Sequence, residues 1–158
     1  MVDSMHIFEL ASVEISTLKL YYCSRVELAG SLRRNSPNPH DIDIVVIPKN
    51  PIVILALQKY AKQYESGSKG IGNQIISYVK HDIGIQLFIA TENNFGAMML
   101  TRTGSAGYNI GLRLVAKKKG YKLNEYGLWK GDTCIASKNE EDIYVALGKQ
   151  WKHPSLRN

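Results

Sequence analysis

Two aspartates at alternate positions of an apolar segment carry the strongest chemical signal in this chain. Asp41 and Asp43 stand in the β-branched stretch DIDIVVI, which predicts a β-strand. Alternate side chains of a strand face the same side, about 7 Å apart. Two carboxylates on one face of an apolar strand are costly unless a positive group binds them, and hard divalent cations prefer oxygen ligands. The spacing therefore predicts a divalent-cation site.

A second feature just upstream suits phosphate. Gly30 and Ser31 end a short apolar run and open a segment that carries Arg33 and Arg34. Exposed backbone N–H groups and arginine side chains are good partners for phosphate oxygens. A phosphate-binding segment and an acidic pair within fifteen residues of each other indicate a nucleotidyltransferase.

The pairing of Gly-Ser with Asp-x-Asp resembles the motif of the DNA polymerase β-like nucleotidyltransferase superfamily. The second half of the chain adds segments that are similar, in the same order, to those of family X DNA polymerases. These segments are Phe95-Gly96-Ala97, Thr103-Gly104-Ser105, Tyr108-Asn109, Leu112-Arg113, the stretch 120–128, Asp142-Ile143-Tyr144 and Trp151-Lys152-His153-Pro154. The resemblance covers about residues 25–157. In its compact layout, the chain is similar to the viral members of the family.

The resemblance implies an α+β fold with two lobes. A palm-like catalytic lobe with a mixed or antiparallel sheet and helices is expected over residues 1–103. A small, basic α/β subdomain that contacts nucleotide and DNA is expected over residues 104–158. The implied activity is metal-dependent addition of nucleotides to a DNA 3′-hydroxyl, in the filling of short gaps. Mg²⁺ or Mn²⁺ and a nucleoside triphosphate are the implied cofactor and substrate, and gapped or primer–template DNA is the implied partner.

The resemblance also assigns roles to residues. Asp41 and Asp43 would bind both metal ions, and Gly30, Ser31 and Arg34 would hold the β- and γ-phosphates. The remaining residues lie at or after the expected lobe boundary. Thr103, Gly104 and Ser105 would form a turn beneath the sugar, with a cis peptide between Gly104 and Ser105. Asn109 would contact the base and Arg113 the templating strand, and the DNA backbone would be contacted by Lys117, Lys118 and Lys119.

The sequence departs from the family at the third catalytic carboxylate. Counting nine residues back from Phe95 places Gln86 at that position. Glutamine is neutral, binds hard cations weakly and cannot accept the proton of the primer hydroxyl; loss of a catalytic base typically costs about 10²–10⁴-fold in rate. A catalytically weak member, an introduced substitution and a shifted alignment all remain open. Asp82 shares the strand parity of Gln86 but lies too far along the strand to replace it.

A second departure precedes the Thr-Gly-Ser turn. The family carries an aromatic pair there, which screens the sugar 2′-position, whereas this chain has Thr101 and Arg102. The preference for deoxynucleotides is therefore left open by the sequence.

Composition sets broader bounds. The chain has 158 residues, a formal net charge of +6 and a pI of about 9.3, a balance that favours polyanionic partners. Six of its basic residues fall in the eighteen residues from Arg113 to Lys130, which contain the single acid Glu125. Cys23 and Cys134 match neither a metal spacing nor a disulfide framework, so we expect reduced thiols in a cytoplasmic protein. No membrane partner is expected, and the layout needs no second subunit.

Periodicity and turn residues predict the elements. Helices are expected over residues 5–22, 51–64, 93–100, 106–119 and 139–148, and strands over 26–29, 41–47, 74–80 and 83–90, followed by short strands turning at Gly127 and Gly131. Residues 66–72 are expected to form a flexible turn.

Two functional alternatives accompany the polymerase hypothesis. The first is a DNA- or nucleotide-binding relative that has lost catalysis, which Gln86 motivates. The second is a nucleotidyltransferase acting on a protein or small-molecule acceptor, which the basic second lobe disfavours.

Overall fold

The computed structural model describes residues 4–158, apart from the side chains at positions 4, 5 and 65–69. The chain divides into two compact units, one ending at Ala90 and the other spanning Thr91–Asn158. This division falls thirteen residues before the expected boundary at residue 103. The difference arises because the helix over residues 95–103 contributes Ala97 and Leu100 to the core of the second unit.

The first unit is a five-stranded mixed sheet with helices. The strand order is β1-β2-β5-β4-β3, in which β2 and β5 run parallel and the other neighbouring strands run antiparallel. In chain order the elements are α1 (Ser4–Tyr21), β1 (Cys23–Leu28), α2 (Gly30–Arg33), β2 (Asp41–Pro48), α3 (Val53–Ala61), β3 (Glu65–Ile71), β4 (Ile75–Lys80) and β5 (Ile83–Ile89). The predicted α+β class is confirmed.

The two faces of the central strands differ in chemistry. On one face, Ile42, Ile44 and Val46 of β2 join the apolar side chains of β5, β4 and α1 in a fully buried core. Because side chains alternate along a strand, Asp41 and Asp43 point to the other face. The same sequence pattern that buries the isoleucines thus carries the acidic pair away from the core.

A buried polar cluster connects α1 to the face of the sheet that this helix covers. Glu14 of α1 is completely buried and accepts hydrogen bonds from the hydroxyls of Tyr78 (2.7 Å) and Tyr60 (3.1 Å), while Lys80 forms an ion pair with it. Burial, reinforced by the Glu14 charge, raises the pKa of Tyr78. Burial alone lowers the pKa of Lys80, but its hydrogen bonds to Glu14 and the neighbouring tyrosines more than offset this, and the pKa is raised.

Two regions test the predicted elements of this unit. The hairpin of β4 and β5 is confirmed, with His81 (φ 50°) and Asp82 (φ 63°) in its two-residue turn, as a tight hairpin requires. The flexible turn predicted over residues 66–72 is wrong. This glycine- and serine-rich segment forms most of the edge strand β3, because pairing with β4 outweighs its weak strand propensity. The short helix α2 was not predicted.

The second unit packs helices against a small antiparallel sheet. Its elements are α4 (Phe95–Thr103), α5 (Ala106–Lys118), β6 (Lys122–Asn124), β7 (Gly127–Lys130), β8 (Thr133–Ala136), α6 (Glu140–Ala146) and a short 3-10 helix (Pro154–Leu156). Leu112 and Ala116 of α5, Leu128 of β7, and Ile143 and Tyr144 of α6 belong to its core. Among the helices of the described residues, none is both long and apolar enough to cross a membrane.

Candidate active site

The acidic face of the first unit carries a row of polar side chains across three strands. Asp43 of β2 lies directly beside Gln86 of β5 in parallel register, and Gln86 lies directly opposite Ser77 of β4. Neighbouring strands are about 4.8 Å apart, and paired residues point to the same face. The structure therefore brings Gln86 next to the acidic pair, where a third carboxylate would complete the site.

The row borders solvent at one end and is closed at the other. Asp41, Asp43 and Gln86 are half-buried, whereas Ser77 is only 1% exposed. Within residues 4–158, the Ser77 hydroxyl has no hydrogen-bond partner. The accessible part of the row is thus the part that carries the carboxylates.

Gly30 approaches the acidic pair so closely that only glycine fits. It adopts φ +61°, and a Cβ atom there would lie 2.1 Å from Oδ2 of Asp43. The adjoining Ala29 N–H donates to the Asp43 carbonyl oxygen at 2.8 Å. The Gly-Ser segment and the acidic strand, separated in sequence, are therefore joined in space.

Ser31 and Arg34 lie on α2 or at its end. The Ser31 hydroxyl is buried and has no hydrogen-bond partner in the part of the chain that the structure describes. Arg34 is the C-cap of α2, and its N–H donates to the Gly30 carbonyl oxygen at 3.2 Å. Within the described residues, the segment thus presents an unpaired buried hydroxyl one residue after the glycine that contacts Asp43, and a bound anion would satisfy that hydroxyl.

The donor set around Asp43 fits an oxygen-binding divalent cation with two carboxylates rather than three. Within the described residues, no group of three His, Cys, Asp or Glu side chains is placed to hold a metal ion. Gln86 occupies the neighbouring strand position and offers a neutral amide oxygen. Asp82 lies exposed in the β4–β5 turn, not on the strand face, so it does not complete the set.

The Thr-Gly-Ser turn lies in the second unit, between α4 and α5. Thr103 is completely buried, and Gly104 is also buried, with φ +70°. The peptide between Gly104 and Ser105 is cis. Ser105 is the N-cap of α5, because its hydroxyl accepts from the N–H of Tyr108 at 3.4 Å. The turn therefore presents mainly backbone groups and the half-buried Ser105.

The other predicted contact residues of this unit lie on α5. Asn109 is half-buried, and its amide Nδ2 donates to the carbonyl oxygen of Thr101 at 2.8 Å. Arg113 lies one turn further along the same face and is exposed. The three lysines at the end of the helix, residues 117–119, are exposed as well. The structure places Asn109 beside the Thr-Gly-Ser turn, and the basic residues at increasing distance along the helix.

Two ion pairs near this turn were not predicted from the sequence. Arg102 NH2 lies 3.0 Å from Oε2 of Glu125, which ties the end of α4 to the β6–β7 turn. Arg157 forms a buried ion pair with Glu140. Neither pair leaves a sequence signal, because the partners are 23 and 17 residues apart and each looks like an ordinary surface charge.

The fold is similar to that of polymerase beta. A crystal structure of Leishmania infantum polymerase beta in a ternary P/T complex superposes with a TM-score of 0.75, covering 98% of this chain and 74% of that one at 20% identity. At that identity the likeness establishes the fold.

Sequence comparison defines the family. Residues 98–158 match the model described as the DNA polymerase beta thumb. The repair DNA polymerase X of African swine fever virus is 30% identical over 136 residues, which cover 81% of this chain and 78% of the viral protein. A DNA polymerase/3′-5′ exonuclease PolX of Bacillus subtilis is 26% identical over 135 residues, 82% of this chain and 23% of that protein. The chain therefore belongs to the family X DNA polymerases, and the resemblance seen in its motifs is confirmed.

Proposed function

We propose that this protein adds nucleotides to the 3′-hydroxyl of DNA and fills short gaps. The observation that carries the proposal is the acidic pair Asp41 and Asp43 on one face of β2, with Gly30 in contact with Asp43. Family membership supports the same reaction, since the relatives are named as repair and X-family DNA polymerases.

Asp41 and Asp43 are the residues that would hold Mg²⁺ or Mn²⁺. Their carboxylate oxygens are the ligands that such hard cations prefer. When bound, the metal would stabilise the charge that develops on the reacting phosphoryl oxygens. The half-exposed position of both aspartates on an open sheet face supports this assignment.

The first unit would also hold the triphosphate. Ser31 offers its unpaired hydroxyl, Gly30 its backbone, and Arg34 a guanidinium suited to phosphate oxygens. In the reaction, the primer 3′-oxygen bonds to the α-phosphorus, the bond to the bridging oxygen breaks, and pyrophosphate leaves with the electron pair. The hydroxyl proton passes to solvent, because Gln86 has no basic site to receive it.

The second unit would orient the sugar, the base and the DNA. Backbone groups of the turn formed by Thr103, Gly104 and Ser105 would lie beneath the sugar, and Asn109 would contact the base. The Asn109 amide now donates to the Thr101 carbonyl oxygen, which holds it beside that turn. Arg113 and the exposed lysines 117–119 would contact the templating strand and DNA phosphates, where electrostatic contacts supply most of the non-specific affinity.

A DNA- and nucleotide-binding role without efficient catalysis is the second candidate, and Gln86 favours it. A site with two carboxylates keeps the capacity to bind a metal-bound nucleotide but lacks the base. The two candidates share the binding residues and differ only in turnover.

Primer extension on short-gapped DNA separates the candidates. We expect incorporation with Mg²⁺ or, more strongly, with Mn²⁺, and no incorporation by the Asp41→Asn/Asp43→Asn variant. DNA binding without incorporation under either metal would favour the binding role. Failure to bind DNA at low salt, together with nucleotide transfer to a protein or small-molecule acceptor, would overturn both candidates.

A further inference from the structure

Arg157 is completely buried, and among the described residues it has the largest of the fully buried side chains. Its NH1 donates to Oε2 of Glu140 at 2.5 Å, and its Nε donates to the carbonyl oxygen of Lys152 at 2.8 Å. Its guanidinium carbon lies 5.5 Å from the ring centre of Tyr144 and 5.4 Å from that of Trp151. A buried charge held by an anion, a carbonyl and two aromatic faces has one conformation, so Arg157 is a fixed point of the second unit.

The backbone of this fixed residue holds the Thr-Gly-Ser turn. The Ser105 N–H donates to the Arg157 carbonyl oxygen at 2.9 Å. Ser105 is the N-cap of α5, and its N–H therefore has no partner within the helix. The hydrogen bond to Arg157 is the direct link between the C-terminal segment and the turn.

Glu140, the acidic partner of Arg157, follows the segment against which α4 begins, and α4 is the helix that precedes the turn. Glu140 begins α6, where Asn139 is the N-cap. The first-turn N–H groups of Gly96 and Ala97 in α4 donate to the carbonyl oxygens of residues 138 and 137, at 3.1 and 3.0 Å. A Cβ atom on Gly96 would lie 2.2 Å from Cα of Asn139, so α4 begins directly against the N-cap of α6.

The ion pair therefore connects both ends of α4 to one anchor. The start of α4 rests on the segment that carries Glu140, and the turn after α4 is bonded to the backbone of Arg157. Resting on the function proposed above, we infer that Arg157 is a positioning residue for nucleotide binding: its ion pair with Glu140 sets the position of the turn that would lie beneath the sugar.

The test compares nucleotide affinity in variants of the full chain that carry Gln86→Asp, so that turnover is measurable. Single-turnover extension of gapped DNA gives the nucleotide dissociation constant and the maximal rate separately. We expect Arg157→Ala to weaken nucleotide binding about tenfold or more while changing the maximal rate less. Arg157→Lys should recover part of the affinity, because lysine keeps the charge but cannot reproduce the planar arrangement of donors.

Lys80→Met is the matched control. It breaks the buried ion pair with Glu14 in the first unit, on the sheet face opposite the acidic row. We expect a lower melting temperature and an unchanged nucleotide dissociation constant. An equal loss of affinity in Lys80→Met, or unchanged affinity in a folded Arg157→Ala variant, would overturn the inference.

A second pair of variants tests the link if Arg157→Ala does not fold. Ser105→Pro removes the N–H that Arg157 accepts and fits the observed φ of −63°, whereas Ser105→Ala removes only the capping hydroxyl. We expect weaker nucleotide binding in Ser105→Pro than in Ser105→Ala, and equal affinities would contradict the link.

Primer extension by the Gln86→Asp chain tests the proposed function separately from the role of Arg157. If the Gln86→Asp chain extends no primer, the polymerase proposal fails. Calorimetric titration with a non-hydrolysable nucleoside triphosphate and Mn²⁺ then gives the affinities without catalysis. The same order of variants would sustain the inference, and identical affinities or no binding at all would refute it.

Discussion

The two units hold their proposed site residues by different means. In the first unit, Asp41, Asp43 and Gln86 stand on neighbouring strands, and backbone register alone decides that they share a face. In the second unit, the turn at Ser105 is held by a remote residue, Arg157. The backbone carbonyl oxygen of Arg157 accepts from the Ser105 N–H, and its side chain forms a buried ion pair with Glu140.

This contrast separates chemistry from placement. A change of residue type on the strands, such as Gln86→Asp, is expected to alter reactivity and to leave the backbone ladder intact. A change at Arg157 removes no chemical group from the proposed site, but it is expected to release the turn proposed to lie beneath the sugar. Substitutions on the acidic face are therefore expected to change mainly the rate of nucleotide addition, and substitutions at Arg157 mainly the affinity for the nucleotide.

The largest effect is expected from the acidic pair. In the Gln86→Asp background, Asp43→Asn should lower the rate of primer extension at least about 100-fold, because the metal-binding charge supplies several kcal/mol of transition-state stabilisation. Asp132→Asn makes the same charge change at an exposed turn of the second unit and should leave the rate unchanged. Single-turnover rates on gapped DNA decide the matter, and equal rates for the two variants would exclude Asp43 as a metal ligand.

Gly30 offers a test of the close approach to Asp43. Gly30→Ala places a Cβ 2.1 Å from the Asp43 carboxylate. Gly70→Ala, at the similar φ of +67°, meets no atom of the described residues within 4 Å. The left-handed conformation alone costs about 1–2 kcal/mol for alanine. We expect Gly70→Ala to lose about that much stability in urea unfolding, and Gly30→Ala clearly more. Equal losses would mean that the Asp43 side chain moves aside freely.

Alkaline pH should distinguish the units by stability. Burial raises the pKa of Cys23 from 9.0 to about 12, and the pKa values of Tyr78 and Lys80 in the same unit are also raised. Each group binds its proton more tightly when folded, so its contribution to stability is present below the unfolded pKa and is lost as pH rises above it. In the second unit, the pKa of Tyr144 is raised by burial.

We therefore expect the first unit to lose stability from about pH 9 upward, before the second unit does. Hydrogen exchange at the β4 and β5 amides reports the first unit, and both tryptophans of the sequence report the second. A fluorescence change that precedes the loss of amide protection would reverse the expected order.

The smallest effect is expected at Ser31. Its buried hydroxyl has no partner in the described residues, so Ser31→Ala should leave the melting temperature unchanged or slightly raised. If the hydroxyl contacts a phosphate, nucleotide binding should weaken by about 0.5–1.5 kcal/mol, which is a change of roughly two- to twelve-fold. Calorimetric titration with a nucleoside triphosphate measures it, and an unchanged affinity would remove Ser31 from the proposed phosphate site.

The sequence predicted those helices and strands in which one buried face imposes a regular spacing of apolar residues. The alternation in β2 and the apolar spacing of α1 each express a buried face, and both elements are confirmed. The edge strand β3 was missed because its glycines and serines resemble a loop, and its strand conformation depends on pairing with β4.

The residues of the proposed site could be named from the sequence, but their arrangement in space could not. The family resemblance singled out Gln86 by counting back from Phe95, and the structure shows that its strand lies beside Asp43. The role of Arg157 could not be predicted, since its burial results from packing among Glu140, Tyr144 and Trp151 rather than from any local pattern.

The most direct measurement is the rate of primer extension on short-gapped DNA by the native chain beside Gln86→Asp. With Asp41 and Asp43 as the two carboxylates of the proposed site, a third carboxylate at position 86 should raise the rate by about 10²–10⁴-fold with Mg²⁺. Comparable rates for the two proteins would contradict this account, because another acidic group would then be serving in place of position 86.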